Sequence, residues 1–474
     1  MTKTYQAGYL SRLGVYGFEA QEPVILAALV TGDPLLLVGR SGTGKTFLLN
    51  SISEALGLEH RHYNASLLSF DDLVGFPYPA EDKTSVRFLE TPATAWGAQS
   101  VLIDEISRCK PEHQNRLFSL VHERRVQGLP LSSLRYRWAA MNPCSSDQAA
   151  GEAYLGSEPL DPALADRFAL IVQVGDWDAL SADDRRRVAN PAGEGLRADD
   201  GGRLAAALAA WQSEFQRALD ECPAPVIEYV TGVTTALGTA GVRVSPRRTR
   251  LLTRSLLAAL AVTQGSVTRP AGGEGKALFL DVLGSSLPHA TWGEAVNTDA
   301  VRAAHELAWN GAMLKGAAQW LHQLHLEPTL DGKARLFLAS CPDADSGSLA
   351  VEQLLANEPQ ARAAAFALAA SPAATSGRLP IGAEGLNDLG RVAQPLLTVD
   401  GEVHWQERLG QSGTSHPDLA TYGQVLARLK NARRKRAEQL FYYCAINRLP
   451  LADPRAFEAE FDRCVQVFAG QVRA

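Results

Sequence analysis

Residues 34–57, PLLLVGRSGTGKTFLLNSISEALG, decide how this chain is read. Leu35-Leu36-Leu37-Val38 has the length and apolar character of a strand buried on both faces of a parallel sheet. Gly39, Gly42 and Gly44 follow, letting the backbone turn tightly and aim successive N–H groups at one anion. A helix is predicted from about Lys45, with Phe47, Leu48, Ile52 and Leu56 at helical spacing and Gly57 as its stop. Its positive dipole end then faces the same anion. GRSGTGKT fits G-x-x-x-x-G-K-[ST], so Gly39, Ser41, Gly42, Thr43, Gly44, Lys45 and Thr46 form a candidate triphosphate cradle. Lys45 is expected to reach the β- and γ-phosphates, and the Thr46 hydroxyl to ligate magnesium.

The rest of the chain supplies candidate partners for that cradle. Upstream, residues 1–33 carry a helical pattern with Val24, Leu26, Leu29 and Val30 on one side. Downstream, His60 to Tyr63 reads as a short strand. Ser100 to Ile106, SVLIDEI, reads as a second buried strand ending in two acids, the arrangement of a Walker B site. Asp104 is the expected magnesium holder, through the ion's water shell, and Glu105 the general base for an attacking water. A helix is predicted from Pro111 to about Arg124, and Val126 to Trp138 reads as a hairpin feeding a third buried strand that ends RWAAMNP. That strand delivers Asn142 to the same edge, where open α/β sheets bind their ligands.

Two arginine positions add cations. Arg167, in LDPALADRF, falls on the last turn of a short predicted helix, where the dipole favours it and it is free to point outward. In Ser245-Pro246-Arg247-Arg248, Ser245 and Pro246 are a good N-cap and first helical residue. Cations in a helix's first turn are disfavoured, so an anion is expected beside them, and a bound phosphate would serve.

Composition bounds the class. The 474 residues suffice for two or three domains, and a net charge of −6 exerts no global pull toward nucleic acid. The six cysteines form neither a C-x-x-C pair nor a zinc spacing. His322 and His325 have no acidic or cysteine companion at metal spacing. An apolar signal core and an 18-residue apolar span are both missing from the sequence, so a cytoplasmic protein without membrane insertion is expected.

Together the Walker A and VLIDEI segments, AAMNP, ADRF and SPRR resemble the AAA+ ATPases, most closely their MoxR branch. DLVG, FLETPAT and PEHQNRLFSLVHERRVQG add to the likeness, which covers roughly residues 14–310. The resemblance implies a Mg²⁺-dependent ATP hydrolase forming a hexameric ring with ATP between subunits. It implies Asn142 as sensor 1, Arg247 as sensor 2 acting in cis, and Arg167 as an arginine finger acting in trans, with the arginine doublet leaving Arg248 open as the alternative sensor 2. It also implies two insertions facing the pore or its rim, at about Asp82 to Trp96 and Arg124 to Arg137. The proline of AAMNP favours ATP over the GTP-using branch, and no GAFTGA-like loop occurs. The expected architecture is an α/β AAA+ module over residues 1–175, an all-α lid over 176–310, and a mainly helical domain over 311–474.

The lid pattern includes the stripes Leu204, Leu208, Trp211, Phe215, Leu219 and Leu251, Leu252, Leu256, Leu260. Beyond residue 310 no resemblance is found. Helices are predicted over Gly311–Leu326 and Leu349–Ala370, a linker over Ser371–Pro380, and one long helix over Asp418–Arg448. That helix carries Arg433-Arg434-Lys435-Arg436, read as a solvated face, with nucleic acid or an acidic partner as the alternative. A final helix begins at Asp453-Pro454. The expected function is a ring ATPase remodelling a protein client, with a von Willebrand factor A domain partner as MoxR relatives commonly have. Two alternatives stand beside it: a nucleotide-switched assembly module whose ATP-bound ring is the active form, and a nucleic-acid motor.

Overall fold

The computed structural model describes residues 8–79, 81, 86–109, 114, 117–126, 128–144, 156–192, 199–265, 272–292, 296–398 and 418–470. The strands among them are β1 (Leu35–Val38), β2 (His60–Asn64), β3 (Pro77–Pro79), β4 (Val86–Phe88), β5 (Ser100–Asp104), β6 (Arg125–Val126), β7 (Leu129–Pro130), β8 (Tyr136–Met141) and β9 (Leu170–Gln173). Five of them form one parallel sheet in the order β2-β5-β8-β1-β9. Every residue of β1 and β8 is buried, and β5 is buried until Asp104, as expected of strands covered on both faces.

The chain divides into two compact units, Met1–Ala312 and Met313–Ala474. The sheet belongs to the first. The helix Glu22–Thr31 is buried on nearly all sides, not along one stripe, because it packs against both Arg203–Asp220 and Pro246–Gln264. Its first residue, Glu22, is 1 % exposed and accepts the N–H groups of Gly8, Tyr9 and Leu10. The N-terminal pattern is therefore two helices, Tyr9–Arg12 and Glu22–Thr31, tied by a buried carboxylate. The helix Lys45–Ala55 buries Leu48, Leu49 and Ile52, whereas Phe47, expected on its packed side, is 44 % exposed.

Of the two expected insertions, the second contains the antiparallel hairpin of β6 with β7, and the first contains β4, which pairs antiparallel with β3 just ahead of it. Residues 82–85 and 127 within them lie outside the described residues, as does most of the start of the helix expected from Pro111; Ser119–Glu123 of that segment forms a π-helical turn. After β9 the first unit is helical, and Leu204, Leu208, Trp211, Phe215, Leu252, Leu256 and Leu260 are buried as their spacing predicts.

The second unit is helical and corrects four expectations. Gly311 belongs to the helix Thr298–Ala312 that closes the first unit, and a separate helix of the second unit runs from Gly316 to Leu326. The segment expected as one helix over 349–370 is two, Ala344–Asn357 and Gln360–Thr375, divided at Glu358-Pro359 because proline removes an N–H and restricts the residue before it. The expected linker Ser371–Pro380 is helical to Thr375, with Pro372 inside the helix. Ala363 to Ser371, Ala373 and Ala374 are buried while Pro372 is exposed, and the small alanine side chains let neighbouring helices approach closely. The expected long helix over 418–448 is broken into Leu419–Leu426 and Asn431–Ile446.

Within that second piece, Arg433 reaches Glu458 at 2.8 Å and Asp462 at 3.1 Å, and Arg436 reaches Asp462 at 3.7 Å. Half of the basic run is thus half-buried and paired with buried acids of the helix Pro454–Phe468, and is not wholly a solvated face.

Candidate nucleotide site

The strand order brings three chemistries together. β8 lies between β5 and β1, so Asn142, just past its end, stands between the Walker B acids and the lysine loop. Its Oδ1 accepts from Lys45 Nζ at 3.3 Å, and its Nδ2 donates to the two Glu105 carboxylate oxygens at 3.2 and 3.3 Å. Asn142 is 2 % exposed, so its amide is committed to these partners and not to bulk water.

The loop itself has the backbone that its glycines predict. Gly42 and Gly44 take φ of 81° and 80°, a left-handed region that side chains disfavour. Gly39 is required for another reason: a Cβ there would stand 2.9 Å from Val174 Cβ. Lys45 Nζ donates to the carbonyls of Gly39 and Arg40, both at 2.7 Å. Burial lowers the Lys45 pKa from its ordinary value, with the Asp104 and Glu105 carboxylates opposing that effect. Thr43 Oγ1 donates to Arg40 O at 2.8 Å, which braces the turn. Ser41 lies in the same turn and is exposed.

Asp104 is gripped on both oxygens. The Glu105 N–H donates to Oδ1 at 2.9 Å and Thr46 Oγ1 to Oδ2 at 2.8 Å, while His62 Nε2 stands 3.4 Å from Oδ2. Burial works to raise this carboxyl's pKa. The neighbouring His62, the Thr46 hydroxyl and the Glu105 N–H outweigh it and hold the pKa below its ordinary value. Two hard oxygens, Thr46 Oγ1 and Asp104 Oδ2, thereby converge at the start of the phosphate-facing helix, and this donor set fits magnesium.

Glu105 takes φ 55°, a left-handed conformation that costs a non-glycine residue roughly 1–3 kcal/mol. The Asn142 amide and the Arg108 guanidinium, 3.0 Å away, hold its carboxylate there. Sequence reasoning missed Arg108 and His62. Arg108 was legible as an i,i+3 partner of Glu105, whereas His62 needed the β2–β5 pairing.

The predicted arginines form a second group. Arg247 Nη1 donates to Asp166 at 3.1 Å. Arg248 is 2 % exposed and donates to Asp166 and to the carbonyls of Ala165, Phe168 and Ser286. The anion expected beside this helix start is therefore supplied by Asp166, which also accepts from Ser245 Oγ at 3.0 Å. The doublet divides its labour: Arg248 is consumed in packing, and Arg247 is the solvent-facing member. Arg167, expected to be free to point outward from its helix end, is instead held against the protein. Its guanidinium lies 4.5 Å over the Phe118 ring and bonds Ala163 O, with Nε buried and unpartnered. Burial, then the charges of Arg247 and Arg167, lower the pKa of His122, which favours its neutral form beside the two arginines. Among the described contacts, none joins Arg167 or Arg247 to Lys45, Asp104, Glu105 or Asn142.

Comparison with known proteins agrees with this geometry. Residues 34–168 match the profile of the AAA domain of the dynein-related subfamily. That segment is similar to an AAA domain. That segment runs from the residue before β1 to two residues before β9, so it holds the cradle, both acids, Asn142 and Arg167. An AAA domain binds nucleotide, in keeping with the cradle. A solved structure of a candidate ATPase from Cytophaga hutchinsonii matches at 20 % identity, covering 54 % of this chain and 78 % of that one with a TM-score of 0.40. No curated protein matches the chain. Among the described residues, no helix is long and apolar enough to cross a membrane.

Proposed function

We propose that this chain is a magnesium-dependent, ring-forming ATP hydrolase of the MoxR type that couples turnover to remodelling a protein client. A von Willebrand factor A domain protein is the partner this reading favours. The observation that carries it is the Lys45–Asn142–Glu105 chain of contacts across three adjacent strand ends, together with a separate arginine patch that this site does not use.

In this reading Lys45 exchanges the Gly39 and Arg40 carbonyls for phosphate oxygens, gaining charge-assisted bonds. Thr46 and Asp104 would hold magnesium, which supplies charge neutralisation at the transferring phosphoryl group. Glu105 takes a proton from the attacking water, and Asn142 orients both carboxylate and water. Arg167 has a cation–π partner and no carboxylate partner, which suits it to an anion brought by a neighbouring subunit. Arg247 shares its patch, so the pair is proposed to act together.

Purified protein should hydrolyse ATP with magnesium. Glu105→Gln should keep nucleotide binding and lose turnover by about 10²–10⁴-fold, the worth of a general base. Lys45→Ala should lose binding. Full turnover in Glu105→Gln would contradict the assignment.

A further inference from the structure

The contact between Asn142 and Glu105 is backed by a pair of buried hydroxyls. Ser107 stands two residues past Glu105, in the turn Ile106–Arg108, and is 0 % exposed; Ser157 is 1 % exposed. Their Oγ atoms lie 2.9 Å apart, and Ser157 Oγ is also 3.3 Å from the Asn142 carbonyl oxygen. The first is a good hydrogen-bond distance and the second a long one. The Glu158 N–H donates to the Ser107 carbonyl at 2.9 Å, so residues 157 and 158 are fastened to the turn by two bonds. A closed circuit results, running from the Glu105 carboxylate through the Asn142 amide, the Asn142 carbonyl, Ser157 and Ser107 back to Glu105. Buried hydroxyls need partners wherever they are. These two have theirs on the main chain of Asn142 and in the turn that Glu105 begins, the two residues whose side chains meet at the site.

We propose that Ser157 is a positioning residue for the Asn142–Glu105 pair, holding the Asn142 main chain and the turn after Glu105 in one frame, with Ser107 as its anchor. The inference rests on the proposed nucleotide site. Asn142 and Glu105 follow different strands, β8 and β5, and Glu105 is held at φ 55°, a conformation that persists only where its surroundings fix it. Ser157 joins the two from behind. Among the described contacts, none links it to Lys45, Thr46 or Asp104. Its loss therefore loosens the base and its amide partner and leaves the phosphate cradle in place. Misplacing a reacting group by about 1 Å can cost about 10²-fold in rate, so turnover is sensitive to this frame and nucleotide binding is not.

The test uses the full chain, with steady-state turnover of ATP and magnesium and with ADP affinity from calorimetry. Ser157→Ala is expected to lower kcat about tenfold while KM and ADP affinity change less than twofold. Ser107→Ala, which frees the anchor, is expected to lower kcat about threefold with the same split. Because Ser157 acts through the Asn142–Glu105 pair, adding Ser157→Ala to Asn142→Ala should change kcat less than twofold; a merely structural role would multiply the two losses. Wild-type kcat in Ser157→Ala, a rise in KM or loss of ADP affinity matching the fall in kcat, or multiplied losses in the double variant overturns the assignment of Ser157 alone. If Ser157→Ala lacks a cooperative unfolding transition, Ser107→Ala, alone and combined with Asn142→Ala, decides by the same criteria. A wild type without ATP turnover, or full turnover in Glu105→Gln, overturns the nucleotide site itself.

Discussion

At the scale of single residues, the two neighbouring arginines of the Ser245 turn show how position outweighs type. Arg248 is enclosed, with Asp166 and three backbone carbonyls as acceptors, and burial lowers its pKa while Asp166 opposes. Arg248→Ala leaves those acceptors unpaired and should destabilise the first unit by about 3 kcal/mol, read from chemical denaturation. Arg247→Ala removes an exposed pair and should cost less than about 1 kcal/mol while reducing ATP turnover. Spacing alone could not separate the two. The helix start was legible from Ser245 and Pro246, but the counter-anion, Asp166, comes from 79 residues upstream of Ser245 and becomes visible only in three dimensions. The cradle, by contrast, was fully readable, since its chemistry is contained in eight consecutive residues with special backbone demands.

At the scale of elements, the sheet was legible because its central strands are continuous apolar runs, and the order of those strands was not. That order gives Asn142 its place between Lys45 and Glu105. It also places His60 on the edge strand β2 between Ser100 and Asn50. Burial, then the nearby His62 and Arg61, lowers the His60 pKa to about 4. The folded protein resists protonating His60 while the unfolded chain takes that proton near pH 6.5. A stability penalty therefore begins below about pH 6.5 and grows until about pH 4. Urea midpoints should fall as pH is lowered through that window, and His60→Gln should fall less steeply. The helices of the second unit were less readable for a physical reason. The segment Gln360–Thr375 is buried along nearly all of Ala361–Ala374, mostly by alanines, so it has no strong amphipathic stripe to mark its ends, and the exposed Pro372 inside it imitates a linker. The basic run misled in the opposite sense. Arg433→Ala leaves Glu458 buried without its cation and Asp462 with only the longer Arg436 contact, and should cost the second unit about 2 kcal/mol, whereas Arg434→Ala should leave stability unchanged within about 0.5 kcal/mol. Calorimetric unfolding of the full chain distinguishes them.

At the scale of the whole molecule, one chain holds the parts of the proposed ATP site in two places. Lys45, Thr46, Asp104, Glu105 and Asn142 converge at the strand ends, and Arg167 and Arg247 gather around Phe118 and Asp166. The proposed account joins these halves across a subunit boundary, so activity should depend on protein concentration through assembly. The most direct test mixes two inactive variants, Arg167→Ala and Lys45→Ala, and measures ATP turnover of the mixture. The account predicts that turnover reappears, because a Lys45→Ala subunit lends its Arg167 to the intact cradle of its neighbour. A mixture as inactive as its components, or an Arg167→Ala protein as active as the wild type, would contradict it.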